Sequence, residues 1–129
     1  MTSDKSRPLL SLLIVEDDKM ALSIIVRMVA NEFPHCTIHS AENGIMGLEL
    51  YKELTPDLVI TDINMPGMGG IEMAREIRSI DVNARFIVMT AYSDIDLLEK
   101  FQEIGFCVYL LKPLKFEELF AAIEKCSKR

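Results

Sequence analysis

The chain has 129 residues, half of them apolar, with 20 acidic and 14 basic side chains and a formal net charge of −6. That length suits one compact domain able to bury roughly two thirds of its unfolded surface, and the apolar fraction excludes a disordered chain. The acidic balance argues against a basic nucleic-acid-binding module, and no window approaches the ~18 apolar residues of a membrane span.

Met1 to Arg7 reads as a flexible N-terminal tail, with one domain over 8–129. Lys5 to Val15 imitates a signal peptide, but Glu16, Asp17 and Asp18 stand where small residues should mark a cleavage site. Short apolar runs then alternate with segments of helical period. The runs are Leu9–Val15, Cys36–Ser40, Leu58–Thr61, Phe86–Thr90 and Cys107–Leu111. Several (LLIV, FIVM, VYLL) are apolar without a break, as in parallel strands covered on both faces.

The first helical segment carries Met20, Ile24 and Met28 on one face, flanked by Ala21, Ile25 and Val29. Asp18 is placed to cap it. Asn43 can cap the second, which runs to about Leu54 before Pro56 stops it. The third covers about Gly70–Ser79, and Ser93 with Asp96 forms a candidate capping box for the fourth, ended by Gly105. The last spans Phe116 to about Ser127, with Phe116, Leu119, Phe120 and Ile123 on one face. This alternation indicates an α/β domain built on a parallel sheet with right-handed crossovers.

Cys36, Cys107 and Cys126 show no metal-ligand spacing, and the expectation is free thiols rather than a disulfide scaffold. His35 and His39 have no acidic or cysteine partner at useful spacing. The methionines are expected mostly in the core, with Met65 and Met68 exposed on a loop beside Asp62.

Polar residues collect at the carboxyl ends of the runs: Glu16 and Asp17 after the first, Asp62 at the third, Thr90 at the fourth, Lys112 and Pro113 at the fifth. In an open parallel sheet those ends converge on one edge, where ligands bind. Three carboxylates sharing a partly buried pocket repel strongly. Lys112 offsets one charge, and a divalent cation would offset the rest. All-oxygen ligands favour a hard ion, Mg²⁺ rather than zinc. A carboxylate left beside that ion, a lysine and a hydroxyl is suited to accept a phosphoryl group. With no Gly-rich phosphate loop, the donor should be a phosphorylated protein or small molecule rather than bound ATP.

LIVEDD, PDLVITDINMPGMGG, IVMTAYSD and YLLKP, in this order, resemble the receiver domain of two-component response regulators, the CheY-like superfamily, over about Leu9 to Ser127. The resemblance implies a single flavodoxin-like (βα)5 domain, its five-stranded parallel sheet in order 2-1-3-4-5 with helices on both faces. It further implies that Asp62 is the phosphoacceptor and Asp17 a direct Mg²⁺ ligand, with Glu16 acting on the metal through water. Asn64 would contribute its backbone carbonyl. Thr90 and Lys112 would bind the phosphoryl group, Lys112–Pro113 would often be cis, and Tyr109 would be an aromatic switch that follows Thr90.

The implied partners are a sensor histidine kinase or histidine phosphotransfer protein and a downstream output domain or protein. No direct nucleic-acid or membrane contact is implied, and the state is a monomer or phosphorylation-linked dimer in the cytoplasm. The domain is then a signalling phosphoacceptor rather than an enzyme, though it assists its own phosphorylation and slow hydrolysis. Its output surface would be the fourth helix, fifth strand and fifth helix. Tyr92, two residues after Thr90, is expected to shield the phosphoaspartate from water. A phosphatase of the haloacid dehalogenase kind would need an acid where Asn64 stands. A phosphorylation-independent module would not need the intact set of Glu16, Asp17, Asp62, Thr90 and Lys112.

Overall fold

The computed structural model describes residues 10–127; the expected tail Met1–Arg7 lies outside them. In chain order the elements are β1 (Ser11–Val15), α1 (Lys19–Glu32), β2 (Thr37–Ala41), α2 (Gly44–Leu54), β3 (Leu58–Asp62), α3 (Gly70–Ile80), β4 (Phe86–Thr90), α4 (Ile95–Ile104), β5 (Val108–Leu111) and α5 (Phe116–Ser127). The strands form a five-stranded sheet in the order β2-β1-β3-β4-β5, every pairing parallel. The expected fold class is the one observed.

Alternation along the strands divides the core into two layers. Leu13, Val15, Val59, Phe86 and Val88 face Leu48, Tyr51, Met73, Ile77 and Phe101 of α2, α3 and α4. Leu12, Ile14, Leu58, Ile60, Ile87 and Met89 face Leu22, Ile25 and Val29 of α1 and Leu119, Ala122 and Ile123 of α5. Both faces are therefore covered, which is why the strand sequences are apolar without a break. Among the described residues, no helix is long and apolar enough to cross a membrane.

The caps at Asp18 and Asn43 form as expected: Asp18 Oδ1 accepts from the Met20 and Ala21 N–H groups, and Asn43 Oδ1 from that of Met46. Thr55 leaves α2 in the left-handed region at φ 40° just before Pro56, and Gly105 ends α4 at φ 103°.

Four local expectations are corrected. Ser93 and Asp96 do not form a capping box; a single 3-10 turn over Tyr92–Asp94 precedes α4, and the N-cap Asp94 makes no side-chain capping bond. The Met20–Ile24–Met28 stripe does not enter the core. Leu22, Ile25 and Val29 occupy the buried face of α1, and at ~100° per residue the stripe lies on roughly the opposite side; Met20 is 74% exposed. Met65 is buried in the cluster that holds Ile63 and Met73, and Met68 packs against it, because the chain after β3 folds back over that layer.

Finally, Cys107 and Cys126 form a disulfide, leaving Cys36 free. They are 19 residues apart in sequence, but α5 runs back antiparallel to β5. Its last turn therefore returns beside the start of that strand, with the Cα atoms 6.0 Å apart.

Candidate functional site

The ladder of the sheet continues one residue beyond the ends of its strands. Glu16 N–H donates to the Ala41 carbonyl at 3.1 Å, Ile63 N–H to Met89 at 3.0 Å, and Lys112 N–H to Thr90 at 2.9 Å. Glu16, Asp62, Thr90 and Lys112 thus sit on backbone held by sheet hydrogen bonds rather than on free loops. Register places Val15 beside Thr61, Asp62 beside Met89 and Thr90 beside Leu111. Four chain segments meet at one edge of the sheet.

Glu16, Thr61, Asp62 and Thr90 are the buried polar side chains among the described residues. Thr61 spends its hydroxyl on the adjacent Asp62 carbonyl, and Thr90 Oγ1 donates to the Ala91 carbonyl at 3.1 Å. The other two are carboxylates. Lys112 Nζ lies 2.9 Å from Asp62 Oδ2 and 3.2 Å from Glu16 Oε1, bridging them. The second Glu16 oxygen accepts the Asp18 N–H at 3.1 Å.

Burial raises the Asp62 pKa, and Lys112 only partly opposes it, while the charge of Asp17 adds to the rise. The Glu16 carboxyl is likewise raised, first by burial and then by Asp62, against the Asp18 N–H and Lys112. For Lys112, burial alone would favour the neutral amine; the hydrogen bond and charge of Asp62, followed by Glu16, outweigh it and hold the ammonium above its ordinary range.

Glu16, Asp17 and Asp62 each offer a carboxylate oxygen, all within 4.8 Å of one another. Asp17 is the most open of the three. Three hard oxygen donors and one lysine leave two negative charges in excess, and no thiolate or imidazole belongs to the cluster. This donor set fits a hard divalent cation.

The remaining expected residues lie nearby in chain order but differ in setting. Asn64, two after Asp62, is exposed, and its side-chain amide donates to Asp94 Oδ1 at 3.3 Å, joining the loop after β3 to the turn after β4. The Lys112–Pro113 peptide is cis. Tyr109 is 46% exposed, its ring edge-on to Phe106 with centroids 6.1 Å apart. Phe106 meets Phe101 in the same way, and Phe101 meets Phe86, so a series of four rings leads from β4 to the surface at Tyr109. Tyr92 is 80% exposed and turned to solvent.

One surface was not anticipated from the sequence. Met20, Ile24 and Met28, with Lys19, Ser23 and Arg27, line a shallow cleft of about 710 Å³ along α1. The helix begins directly after Asp17 and Asp18, so this open apolar stripe starts beside the acidic cluster. Only the placement of Leu22, Ile25 and Val29 against the sheet reveals that it faces outward.

The family model described as "Response regulator receiver domain" matches residues 12–124. Sporulation initiation phosphotransferase F of Bacillus subtilis is 34% identical over 113 residues, covering 88% of this chain and 90% of that protein. The probable C4-dicarboxylate response regulator of Priestia megaterium is 33% identical, but the match spans 89% of this chain and only 50% of that longer protein. In structure, a DNA-binding response regulator of the LuxR family from Staphylococcus aureus superposes with a TM-score of 0.85 at 33% identity, over 93% of this chain and 100% of that one. The family match covers nearly the whole sheet and its acidic edge: the chain belongs to the CheY-like response regulator receiver domains of two-component signalling.

Proposed function

We propose that this receiver domain, over 8–129, is a phosphoacceptor switch in which Asp62 takes a phosphoryl group from a phosphohistidine on a sensor kinase or phosphotransfer protein. The observation that carries the reading is the convergence of Glu16, Asp17, Asp62 and Lys112 at one end of the sheet, beside Thr90. Asp62 supplies the nucleophilic oxygen: its bond to phosphorus forms as the phosphorus–nitrogen bond breaks, and the electron pair returns to the donor imidazole. Lys112, already within hydrogen-bond distance of Asp62, pairs with the transferred phosphoryl oxygens. Thr90 turns its hydroxyl from the Ala91 carbonyl toward them. Glu16, Asp17, Asp62 and the Asn64 carbonyl would hold Mg²⁺, which when bound supplies positive charge against the transferring group.

The donor protein docks across the loop after Asp62 and the exposed stripe of α1. Movement of Thr90 draws Tyr109 from its place against Phe106, shifting the population of the α4–β5–α5 face that an output domain or protein reads. The domain works in the cytoplasm as a monomer or phosphorylation-linked dimer, without direct nucleic-acid or membrane contact. It is not a separate enzyme, but assists its own phosphorylation and slow hydrolysis.

Incubation with acetyl phosphate and Mg²⁺, followed by intact mass measurement, tests the reading. The expected result is a gain of one phosphoryl group in the parent and none in Asp62→Asn. No gain in the parent, or an equal gain in both, would overturn it.

A further inference from the structure

At the opposite edge of the sheet from Asp62, a cleft of about 460 Å³ has Cys107 and Cys126 in its wall, together with Arg78, Arg85, Lys125 and Phe106. The two cysteines differ sharply in access. Cys107, just before β5, is exposed, whereas Cys126, in the last turn of α5, is 1% exposed. Their Cα atoms lie 6.0 Å apart, inside the range a disulfide spans without backbone movement.

The surrounding cations also hold the backbone on both sides. Arg78 Nη2 donates to the Gly105 carbonyl at 3.1 Å, and Arg85 Nη1 to the Cys126 carbonyl at 2.8 Å. Both cysteine-bearing segments are thereby fixed by guanidinium hydrogen bonds, and three cationic side chains line one cleft. The acidic edge of the sheet takes no part in this arrangement.

We propose that Cys107 and Cys126 form a reversible thiol–disulfide exchange site for a carboxylate-bearing low-molecular-weight disulfide. Cys107 is the sulfur attacked from solvent, and Cys126 is the resolving sulfur. In the oxidising direction the Cys107 thiolate attacks one sulfur of the small disulfide. That sulfur–sulfur bond breaks, one small thiolate leaves and takes a proton from water, and a mixed disulfide remains on Cys107. The Cys126 thiolate then attacks Cys107 Sγ and expels the second small thiolate. Two protein thiols are oxidised by two electrons, and the small disulfide is reduced to two thiols. The cations of Arg78 and Lys125 in the cleft wall attract the carboxylates of the incoming molecule. The closed bond ties the start of β5 to the end of α5. Exchangeable disulfides of this kind are the form in which such bonds occur in reducing compartments.

The test uses the full chain, reduced and freed of reductant, then exposed to oxidised glutathione or, at equal concentration, to the cationic disulfide cystamine. Acid quenching, alkylation, intact mass and peptide mapping follow the thiols without any phosphoryl donor, so the outcome is independent of Asp62 chemistry. The parent should end with only Cys36 alkylated and with no small thiol retained. Cys126→Ala should stop as a stable glutathione adduct on Cys107, and Cys107→Ala should modify Cys126 at least tenfold more slowly. Oxidised glutathione should outpace cystamine severalfold at low salt and lose that lead at high salt. The quenched time course of the parent itself should show the Cys107 adduct before the internal bond, which keeps the test independent of how well either variant folds. Three alkylatable thiols at the end point, Cys126 reacting as fast as Cys107, or cystamine matching glutathione would each overturn the proposal.

Discussion

Lys112 Nζ stands 2.9 Å from Asp62 and 3.2 Å from Glu16, so one ammonium serves two buried carboxylates. Each carboxylate competes with the other for it, and burial raises both of their pKa values.

Neutralising one acid should therefore stabilise the metal-free domain. In Asp62→Asn, Lys112 keeps Glu16 as a charged partner while one desolvated charge disappears. The expected gain is roughly 0.5–2 kcal/mol, or about 2–8 °C in Tm. The pH dependence has a definite sign. With folded-state pKa values above the unfolded ones, Asp62 and Glu16 bind protons more readily in the native state. Their contribution to stability is greatest below the ordinary carboxylate range and is lost as pH rises through the raised values. Calorimetry of parent and Asp62→Asn between mild acid and neutrality should show the difference growing with pH.

Removing the cation should do the reverse. Lys112→Ala leaves Glu16 and Asp62 without their shared partner. The expected cost is about 2–3 kcal/mol, short of the ~3–5 of a fully buried pair because the Lys112 side chain is 32% exposed. Millimolar Mg²⁺ should recover part of this loss in urea titrations, since a cation bound by the native acids stabilises that state by mass action. An equal recovery in an Asp17→Asn, Lys112→Ala double variant would contradict the metal assignment.

The alternation of buried strands with helices and the acidic edge could be anticipated because both depend on periodicity and strand-end position, which a single sequence displays directly, whereas the order of the strands in the sheet follows only from the family resemblance. Leu12, Ile14, Leu58 and Ile60 announce burial by their unbroken runs. Other features depend on rotation and return. Nothing in the spacing of Met20, Ile24 and Met28 distinguishes an outward stripe from an inward one until Leu22, Ile25 and Val29 are seated on the sheet. Met65 reads as a loop residue until the loop folds back over Ile63 and Met73. The Cys107–Cys126 pair appears only when β5 and α5 lie side by side.

Gly70 limits how the loop after Asp62 can be altered. A Cβ at this position would collide with the Asp62 carbonyl oxygen and come within 3.1 Å of Ile63 Cα, both backbone atoms that cannot swing aside. Gly70→Ala should cost about 1–3 kcal/mol and slow acetyl phosphate labelling at least tenfold by displacing the segment that carries Asp62. Denaturation midpoints and labelling rates, measured on the same preparation, check both effects.

Far from the site, Tyr51 Oη donates to Asp81 Oδ2 at 2.6 Å, linking α2 to the end of α3. The bond from Tyr51, aided by the Asn83 N–H, holds the Asp81 carboxyl below its ordinary range. Burial, reinforced by Asp81, drives the Tyr51 phenol far upward. Asp81 therefore contributes stability above its unfolded pKa and loses it as pH falls through the depressed folded value. Tyr51→Phe should lose about 1.5–3 kcal/mol at neutral pH, with the gap to the parent narrowing in strong acid.

The docking proposed for the α1 stripe can be tested apart from the chemistry. Met20→Asp with Ile24→Asp should leave stability within about 0.5 kcal/mol and acetyl phosphate labelling unchanged. Transfer from a phosphohistidine protein should fall at least tenfold. Parallel rates with the small and the protein donor make the comparison.

The edge that gathers Glu16, Asp62, Thr90 and Lys112 draws on β1, β3, β4 and β5, and its decisive ion pair joins residues 50 positions apart. No fragment of the chain carries the site. A ribosome-bound or truncated chain ending before Lys112 would hold the mutually repelling acids without their cation. If Asp62 is the phosphoacceptor proposed above, competence would depend on completion of the sheet, because β5, the last of the five described strands, carries the cation that makes the earlier carboxylates compatible. On that proposal, half-made copies would be kept from accepting a phosphoryl group by connectivity alone.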